Sequence, residues 1–147
     1  MGTIYTRREF GKIILVGITM YITKNFTTNE FKCHCGCGKS DMDPEFMKML
    51  QSIRDEMQRP LRITSGYRCE SHNNKISTTG KTGPHTHAKA ADILISGADA
   101  MRLFTIAQKH GISGIGLSQK GPHNARFCHI DSLTSEEGPR PTVWTYG

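Results

Sequence analysis

Apolar and polar positions along the chain predict two amphipathic helices. The first begins with Asp43 as its N-cap and Pro44 as its first helical residue. Apolar side chains then recur at helical spacing on one face: Phe46, Met49, Leu50, Ile53 and Met57. A second helix is predicted over residues 98–110, with Gly111 as its stop. A capping box at residues 27–30 predicts a further short helical turn.

Shorter segments between and after these helices predict strands. Residues 61–64, 90–95, 112–117, 126–130 and 142–146 have the alternating or continuously apolar character of short strands. Helices and strands do not follow one another in a regular βαβ order. The expected fold class is therefore α+β, with a small antiparallel sheet flanked by the two amphipathic helices.

The N-terminus differs in character from the rest of the chain. Residues 25–147 are expected to form a single domain, large enough for a hydrophobic core, and residues 1–24 an extension of it. Arg7 and Arg8, before an apolar run, are similar to a twin-arginine export signal. The run is too short to span a membrane, and it has no cleavage site. A strand packed on the domain, or residues that precede a natural start at Met20, are the alternatives, and export is the weakest interpretation.

Net charge changes the list of expected partners. The chain has a formal net charge of +6 and a sequence pI near 9.2. The basic residues are scattered, without a basic run or interleaved aromatic residues, so no nucleic-acid partner is expected. The anionic bacterial cell wall is a suitable partner, and a merely soluble surface is the alternative. No membrane partner is expected, and the protein is expected to be a monomer.

The five cysteines are an odd number, so they cannot all pair internally. Cys33, Cys35 and Cys37 follow one another at a spacing that is not the CxxC of a zinc knuckle. Cys69 and Cys128 lie beside the motifs described below. We interpret the cysteines as a set of small, buried and inert thiols in a glycine-rich loop. A small structural metal site, or a disulfide that involves Cys69, remains open.

Candidate chemistry begins with polar residues on apolar strands. Asp92 projects from an apolar strand, where an unpaired carboxylate would cost several kcal/mol, as an order of magnitude, to bury. Alternation puts His129 and Asp131 on one face of a later strand. With His85 on the loop before the first of these strands, Asp92 and His129 complete a set of three ligands that suits zinc and leaves a fourth position open. The alternative is a hydrogen-bonded His–Asp pair in the core.

A second motif gives these residues a context. Residues 63–68 form a strand that runs into a glycine turn and presents Arg68, whose fork of donors suits a carboxylate or an oxyanion. Four motifs follow one another in the chain: this one, the segment from His85 to Asp92, Phe-x-His-x-Asp and Arg-Pro-x-x-Trp. Their order resembles that of the zinc D-Ala-D-Ala carboxypeptidases and L-alanyl-D-glutamate endopeptidases. These enzymes share a metal core with hedgehog proteins. Residues 25–38 are similar to the short, phage-type branch, and the resemblance covers residues 25–146.

The resemblance implies roles for individual residues. It makes His85, Asp92 and His129 the ligands of one catalytic Zn²⁺. It makes Arg68 the residue that contacts the substrate and stabilises the tetrahedral intermediate. His123, six residues before the last ligand, is expected to be the general base.

Further residues are assigned around this expected zinc site. His87 is the alternative general base. Asp131 is expected to accept a hydrogen bond from a ligating histidine. Ser65, Tyr67 and Asn73 are expected to hold the substrate peptide.

Two positions depart from the family motif Ser-x-His-x-x-Gly-x-Ala-x-Asp. Gly83 stands where serine is usual, and Ala88 stands where glycine is usual. A missing serine hydroxyl would change how the substrate is held. The alanine matters only if the backbone there needs a positive φ.

The expected function follows from the resemblance. It implies a zinc-dependent peptidase that hydrolyses an amide bond in peptidoglycan stem peptides, either as a D-Ala-D-Ala carboxypeptidase or as an endolysin-like endopeptidase. Such a protein acts in the bacterial cell wall or periplasm, and a phage protein made in the cytoplasm is released by a holin. The alternative is a hedgehog-like zinc module that binds peptide or cell wall without turnover.

Overall fold

The computed structural model describes residues 14–16 and 19–147 of the chain. Two short antiparallel strands come first, followed by three α-helices and five further strands. In chain order the elements are β1 (Ile14–Val16), β2 (Thr19–Tyr21), α1 (Pro44–Met57), β3 (Arg62–Ser65), α2 (Glu70–Ile76), β4 (Ala90–Leu94), α3 (Gly97–Lys109), β5 (Gly114–Ser118), β6 (Phe127–Asp131) and β7 (Thr142–Thr145). Arg7 and Arg8, which carry the similarity to an export signal, lie outside the described residues. Within the described part, no helix is long and apolar enough to cross a membrane.

Side-chain caps begin the helical segments where the sequence predicts them. The Thr27 backbone N–H donates to Glu30 Oε2 at 2.7 Å, which is half of the predicted capping box before a short 3₁₀ turn. At α1, the Phe46 backbone N–H donates to Asp43 Oδ2 at 2.9 Å. Both predicted helix starts are therefore confirmed.

The core lies between the two predicted amphipathic helices and one face of the sheet. α1 and α3 pack against each other, and α3 also contacts β6. Their buried side chains meet apolar residues that alternate along the central strands, among them Ile93, Ile115 and Ile130. Because neighbouring residues of a strand point to opposite faces, the residues directly before and after each of these isoleucines belong to the face away from the helices.

The main sheet has five strands in the order β3-β4-β6-β5-β7. The four strands β3, β4, β6 and β5 pair antiparallel, as predicted, but β7 is parallel to β5. The predicted antiparallel pairing holds for these four strands and is wrong only at the β7 edge. The chain leaves β6 at Asp131, passes β5, and starts β7 beside Gly114 at the same end of the sheet. β7 must then run opposite to β6 and alongside β5. The α+β class itself is confirmed.

The cysteines are only partly as predicted. Cys33 and Cys128 are buried, and burial raises the pKa of Cys128 to about 11, as expected of an inert thiol. Cys35 and Cys37 are exposed, because the loop that carries them lies on the surface, so the prediction of burial is wrong for both. Among the described residues all five are free thiols, including Cys69.

Candidate active site

The centre of the main sheet brings two predicted ligands together. Asp92 in β4 lies directly opposite His129 in β6, in an antiparallel pair. Their strand neighbours Ile93 and Ile130 face the core, so Asp92 and His129 face away from the helices. A cross-strand pair of this kind places the two side chains in contact on the same face.

The third predicted ligand comes from the loop before β4. Within this loop the backbone N–H of His87 donates to the Gly83 carbonyl and that of Ala88 to the His85 carbonyl, at 3.1 and 3.2 Å. Ala88 adopts a φ of 60°. That conformation reverses the chain between His85 and β4, and it favours glycine. Alanine therefore occupies a position whose backbone suits the glycine of the family motif.

The three side chains converge and are almost completely buried. His85, Asp92 and His129 are 4%, 7% and 2% exposed. One ligand atom from each lies within 4.8 Å of the other two. Asp92 Oδ1 lies 3.0 Å from His129 Nδ1 and 3.3 Å from His85 Nε2.

Hydrogen bonds on the far side of each imidazole fix which nitrogen faces Asp92. His85 Nδ1 lies 2.6 Å from the Gly66 carbonyl oxygen, which only accepts, so Nδ1 donates and Nε2 presents a lone pair. His129 Nε2 lies 2.8 Å from Asp131 Oδ2, and donation there leaves a lone pair on Nδ1. Two lone pairs and a carboxylate oxygen thus meet in one small volume. This arrangement of acceptors fits a cation such as zinc better than a plain His–Asp hydrogen bond.

Arg68 contacts the second carboxylate oxygen of Asp92, Oδ2. Its Nη2 donates to Asp92 Oδ2 at 3.0 Å, and its Nε donates to Ser65 Oγ at 3.1 Å. The glycine turn that carries Arg68 also contains Gly66, the acceptor of the His85 proton. One short segment therefore orients both the arginine and a predicted ligand.

These groups lie in a cleft of about 680 Å³. Side chains of His85, Asp92 and His129 line it together with Arg68. Threonines at positions 78, 79 and 82 line one part of it, and the aromatic side chains of residues 127, 144 and 146 line another. A set of acceptors suited to a metal is thus open to a space large enough for a short peptide.

The sequence profile of the peptidase M15 family matches residues 24–131, which include all of these groups except Trp144 and Tyr146. This chain belongs to the peptidase M15 family. Members of this family are zinc-dependent, so the chain is a metallopeptidase, and His85, Asp92 and His129 form a possible zinc site in it. No curated protein matches the chain significantly.

Burial and hydrogen bonds shift the pKa values of the possible ligands of this M15 peptidase in different directions. Burial lowers the pKa of His85 below its usual value, although Asp92 acts to raise it. Burial also acts to lower the pKa of His129, but its hydrogen bonds with Asp131 and Asp92 outweigh this effect and raise it. Burial acts to raise the pKa of Asp92, but the two histidines hold it well below its usual range. The shift at His85 thus favours the neutral imidazole that a metal ligand must have.

Asp131 is held by an arginine behind the site of the M15 peptidase. Arg140 donates from Nε to Oδ1 at 2.8 Å and from Nη2 to Oδ2 at 2.7 Å. Burial acts to raise the pKa of Asp131, but hydrogen bonds from His129 and Arg140 keep it at about 2. A Cβ at Gly114 would collide with both Asp131 and Arg140. The missing side chain at position 114 therefore lets the arginine reach the carboxylate that orients His129.

A second glycine of β5 makes room for the aromatic wall of the cleft. Gly116 lies between His129 and Trp144 in the register of the sheet. A Cβ there would lie 2.6 Å from the Trp144 ring, which approaches His129 with 5.1 Å between ring centroids. Neither Gly114 nor Gly116 is among the site residues predicted from the sequence. Their Gly-x-Gly spacing on a predicted strand was the available signal, because it puts two side-chain gaps on one face.

Of the other predicted site residues, Asn73 lines the cleft, whereas Ser65, Tyr67 and His123 do not. Asn73 lines the cleft, but its Nδ2 is bonded to Thr79 Oγ1 and the Gly80 carbonyl, so it holds the neighbouring turn. Ser65 supports Arg68, and Tyr67 lies near the cysteines, outside the cleft lining. His123 begins an exposed 3₁₀ turn, also outside the cleft lining.

His87, the alternative base, does line the cleft of the M15 peptidase. Its Nδ1 lies 3.9 Å from Glu137 Oε1, beyond hydrogen-bond distance, and this oxygen accepts a hydrogen bond from Lys89 Nζ at 2.7 Å. The hydrogen bond from Lys89 lowers the pKa of Glu137, so this carboxylate is ionised at neutral pH. Among the described residues, His87 is the only histidine besides the possible ligands that lines this cleft. The charged carboxylate of Glu137 lies close to its ring.

Proposed function

We propose that this M15 peptidase hydrolyses an amide bond in the stem peptides of peptidoglycan, as a D-Ala-D-Ala carboxypeptidase or an endopeptidase. The observation that carries the proposal is the convergence of three acceptor groups at the floor of an open cleft, beside Arg68. A zinc ion held by His85, Asp92 and His129 would polarise the scissile carbonyl and activate a water molecule.

Arg68 is the residue that we assign to charge stabilisation. It is anchored by Ser65 through Nε and by Asp92 through Nη2, which aims the guanidinium along one side of the cleft. Its Nη1 makes no hydrogen bond to the residues that the structure describes. A fixed guanidinium with spare donors suits an oxygen on which negative charge develops, and one such donor contributes about 3 kcal/mol to catalysis.

Proton transfer is assigned to one of two histidines. His87 lines the cleft and has the ionised Glu137 behind it, so it is better placed than His123 to take up a proton and to return it to the leaving amine. His123, which the family resemblance implies, lies on an exposed turn. Replacement of each histidine by alanine tests the choice. The base is the one whose loss lowers kcat and removes the acidic limb of the pH profile.

The walls and the charge of the protein support a cell-wall substrate. Threonine hydroxyls and aromatic rings line the cleft together with the acceptors, as suits a short peptide with small side chains. The net charge of +6 favours attraction to the anionic wall. We therefore propose that the protein acts in the bacterial cell wall or periplasm. Release of a phage-encoded protein by a holin is the route that we infer from the family resemblance.

Digestion of purified peptidoglycan tests the proposal directly. The zinc-loaded protein is expected to release stem-peptide fragments whose masses identify the cleaved bond. A chelator should stop the release, and added zinc should restore it. Denatured protein serves as the blank. Zinc-loaded protein that binds peptidoglycan but never cleaves it would instead support the binding module without turnover.

A further inference from the structure

A second group of potential ligands lies outside the cleft, where four sulfur atoms meet. Every Sγ atom of this group lies within 4.8 Å of the other three. Three of the pairs are separated by 3.4, 3.6 and 3.7 Å. We call the group the four-cysteine cluster; its members are Cys33, Cys35, Cys37 and Cys69.

Two chain segments form the four-cysteine cluster. Three of the cysteines come from a surface loop that the Cys33 N–H closes by donating to the Lys39 carbonyl at 2.8 Å. Gly36 and Gly38, on either side of Cys37, have φ values of 86° and 77°. These left-handed conformations curl the loop, so that alternate residues turn their sulfurs to the same point. Cys69 comes from the segment directly after Arg68.

Sulfur positions in the cluster match tetrahedral coordination of one ion. A disulfide needs about 2.05 Å between sulfurs, much less than the 3.4 Å of the nearest pair among those given above. Four thiolates at about 2.3 Å from one zinc ion lie about 3.8 Å apart. A common separation within 4.8 Å leaves space for one ion and none for a multi-iron cluster.

Backbone donors already point at two of the sulfurs. The Cys69 N–H donates to Cys33 Sγ at 3.4 Å, and the His72 N–H donates to Cys69 Sγ at 3.4 Å. N–H···S bonds of this kind stabilise a thiolate and orient it as a ligand. The exposure of Cys35 and Cys37 also argues against a set of inert thiols buried for packing alone.

We propose that the four-cysteine cluster binds a second, structural zinc ion. Four soft thiolates in a tetrahedral arrangement select zinc, and they leave no open position for a substrate or water. The ion would tie the surface loop to the segment that contains Gly66 and Arg68. It would thereby fix both the acceptor of the His85 proton and the arginine of the cleft. The cluster is a positioning site that does not touch the substrate.

Zinc content per chain is the first test. After dialysis against a zinc buffer, the wild-type protein is expected to hold two zinc ions. Cys35→Ser and Cys37→Ser, both at exposed positions, should each lose one ion. These two variants should lose the ion of the four-cysteine cluster, whereas Asp92→Asn should lose the ion of the cleft. Cys128→Ser is the matched control, because this buried cysteine lies outside the cluster, and it should retain both.

Cobalt substitution tests the ligands directly, because the wild-type protein alone reports whether thiolates bind the metal. Wild-type protein loaded with Co²⁺ should show intense thiolate-to-cobalt charge-transfer absorption, which Asp92→Asn retains and Cys35→Ser loses. The proposal is overturned if the wild-type protein holds a single zinc ion and Asp92→Asn holds none, because the four-cysteine cluster would then bind no zinc. Iron in place of zinc, or a disulfide found in freshly purified, unreduced protein, would overturn it as well. None of these readouts depends on which substrate the cleft accepts.

Discussion

The two candidate metal sites of this peptidase are held together in opposite ways. In the cleft, Asp92 and His129 project from paired strands at the centre of the sheet, and each imidazole is oriented by a protein acceptor behind it. In the four-cysteine cluster, three of the four ligands come from one glycine-containing surface loop, and two of the four are exposed.

This difference separates two functions of a metal ion. The cleft ligands are oriented by hydrogen bonds to protein acceptors, and they line a cleft with space for substrate. The proposed structural ion would instead hold the surface loop in its folded conformation, as zinc does in small domains with thiolate ligands. Removal of metal should therefore abolish activity at the first site and loosen local structure at the second.

Asp92→Asn is expected to have the largest effect. Asparagine keeps the shape of the side chain but removes the charge that faces His85, His129 and Arg68. We expect hydrolysis to fall by more than about 10³-fold, beyond the loss of a single oxyanion donor, with the cleft zinc lost. Steady-state kinetics and metal analysis check this. Asp41→Asn, at an exposed position, is the control, and normal turnover by Asp92→Asn would remove the cleft site from consideration.

Arg68→Lys separates charge stabilisation from metal binding. Lysine keeps a positive charge but cannot bond Ser65 and Asp92 with one rigid fork. We expect kcat to fall by about 10²-fold while the zinc content stays unchanged. Arg62→Lys, on the exposed side of β3, should behave as wild type. A raised KM with normal kcat would show that Arg68 only binds substrate.

Asp131→Asn tests whether the cleft ligands are pre-arranged. The amide cannot hold both Arg140 and the His129 proton as the carboxylate does. Loss of such an acceptor behind a ligating histidine lowers metal affinity or activity by about 10–100-fold. Competition with a zinc chelator measures the affinity. An unchanged affinity would mean that the strands alone orient His129.

Hydrogen exchange before and after chelation compares the two sites in one experiment. Amide exchange in residues 33–39 and 66–69 should accelerate about tenfold or more when metal is removed, because the loop loses its ion. Amides of β4 and β6 should stay protected, since the hydrogen bonds of the sheet do not depend on a metal. Equal acceleration in both regions would contradict the contrast drawn above.

Ala88→Gly should have the smallest effect, and a stabilising one. The residue adopts a φ of 60°, which strains alanine but not glycine. Glycine also makes the unfolded chain more flexible, so the net gain in the free energy of unfolding is about 0.5–1 kcal/mol. Urea denaturation measures it. Ala98→Gly, the same change at an exposed helical position in α3, should destabilise by a similar amount.

Sequence patterns were sufficient for the features that depend on local rules. Helix starts at residues 27 and 43 followed from capping chemistry, and alternation placed Asp92 and His129 away from the apolar face. The family resemblance contributed the assignment of the three possible zinc ligands, which spacing alone could not distinguish from a buried His–Asp pair.

Features that depend on chain paths in space were not predictable. The parallel direction of β7 results from the passage of residues 132–141 around β5, and no residue type signals that route. Cys69 meets Cys33 and Cys35 only because the fold brings the Arg68 segment against the surface loop. The position of His87 in the cleft depends in the same way on how its loop lies beside Glu137.

The place of Trp144 on the outermost strand has a consequence for how this enzyme can diversify. The possible zinc ligands belong to the inner strands β4 and β6 and to the loop that leads into β4, whereas β7 pairs on only one side and contributes the indole ring. Substitutions in this border strand would change the aromatic wall of the cleft without replacing a possible zinc ligand. The aromatic wall and the possible zinc ligands thus occupy separate strands of one small sheet.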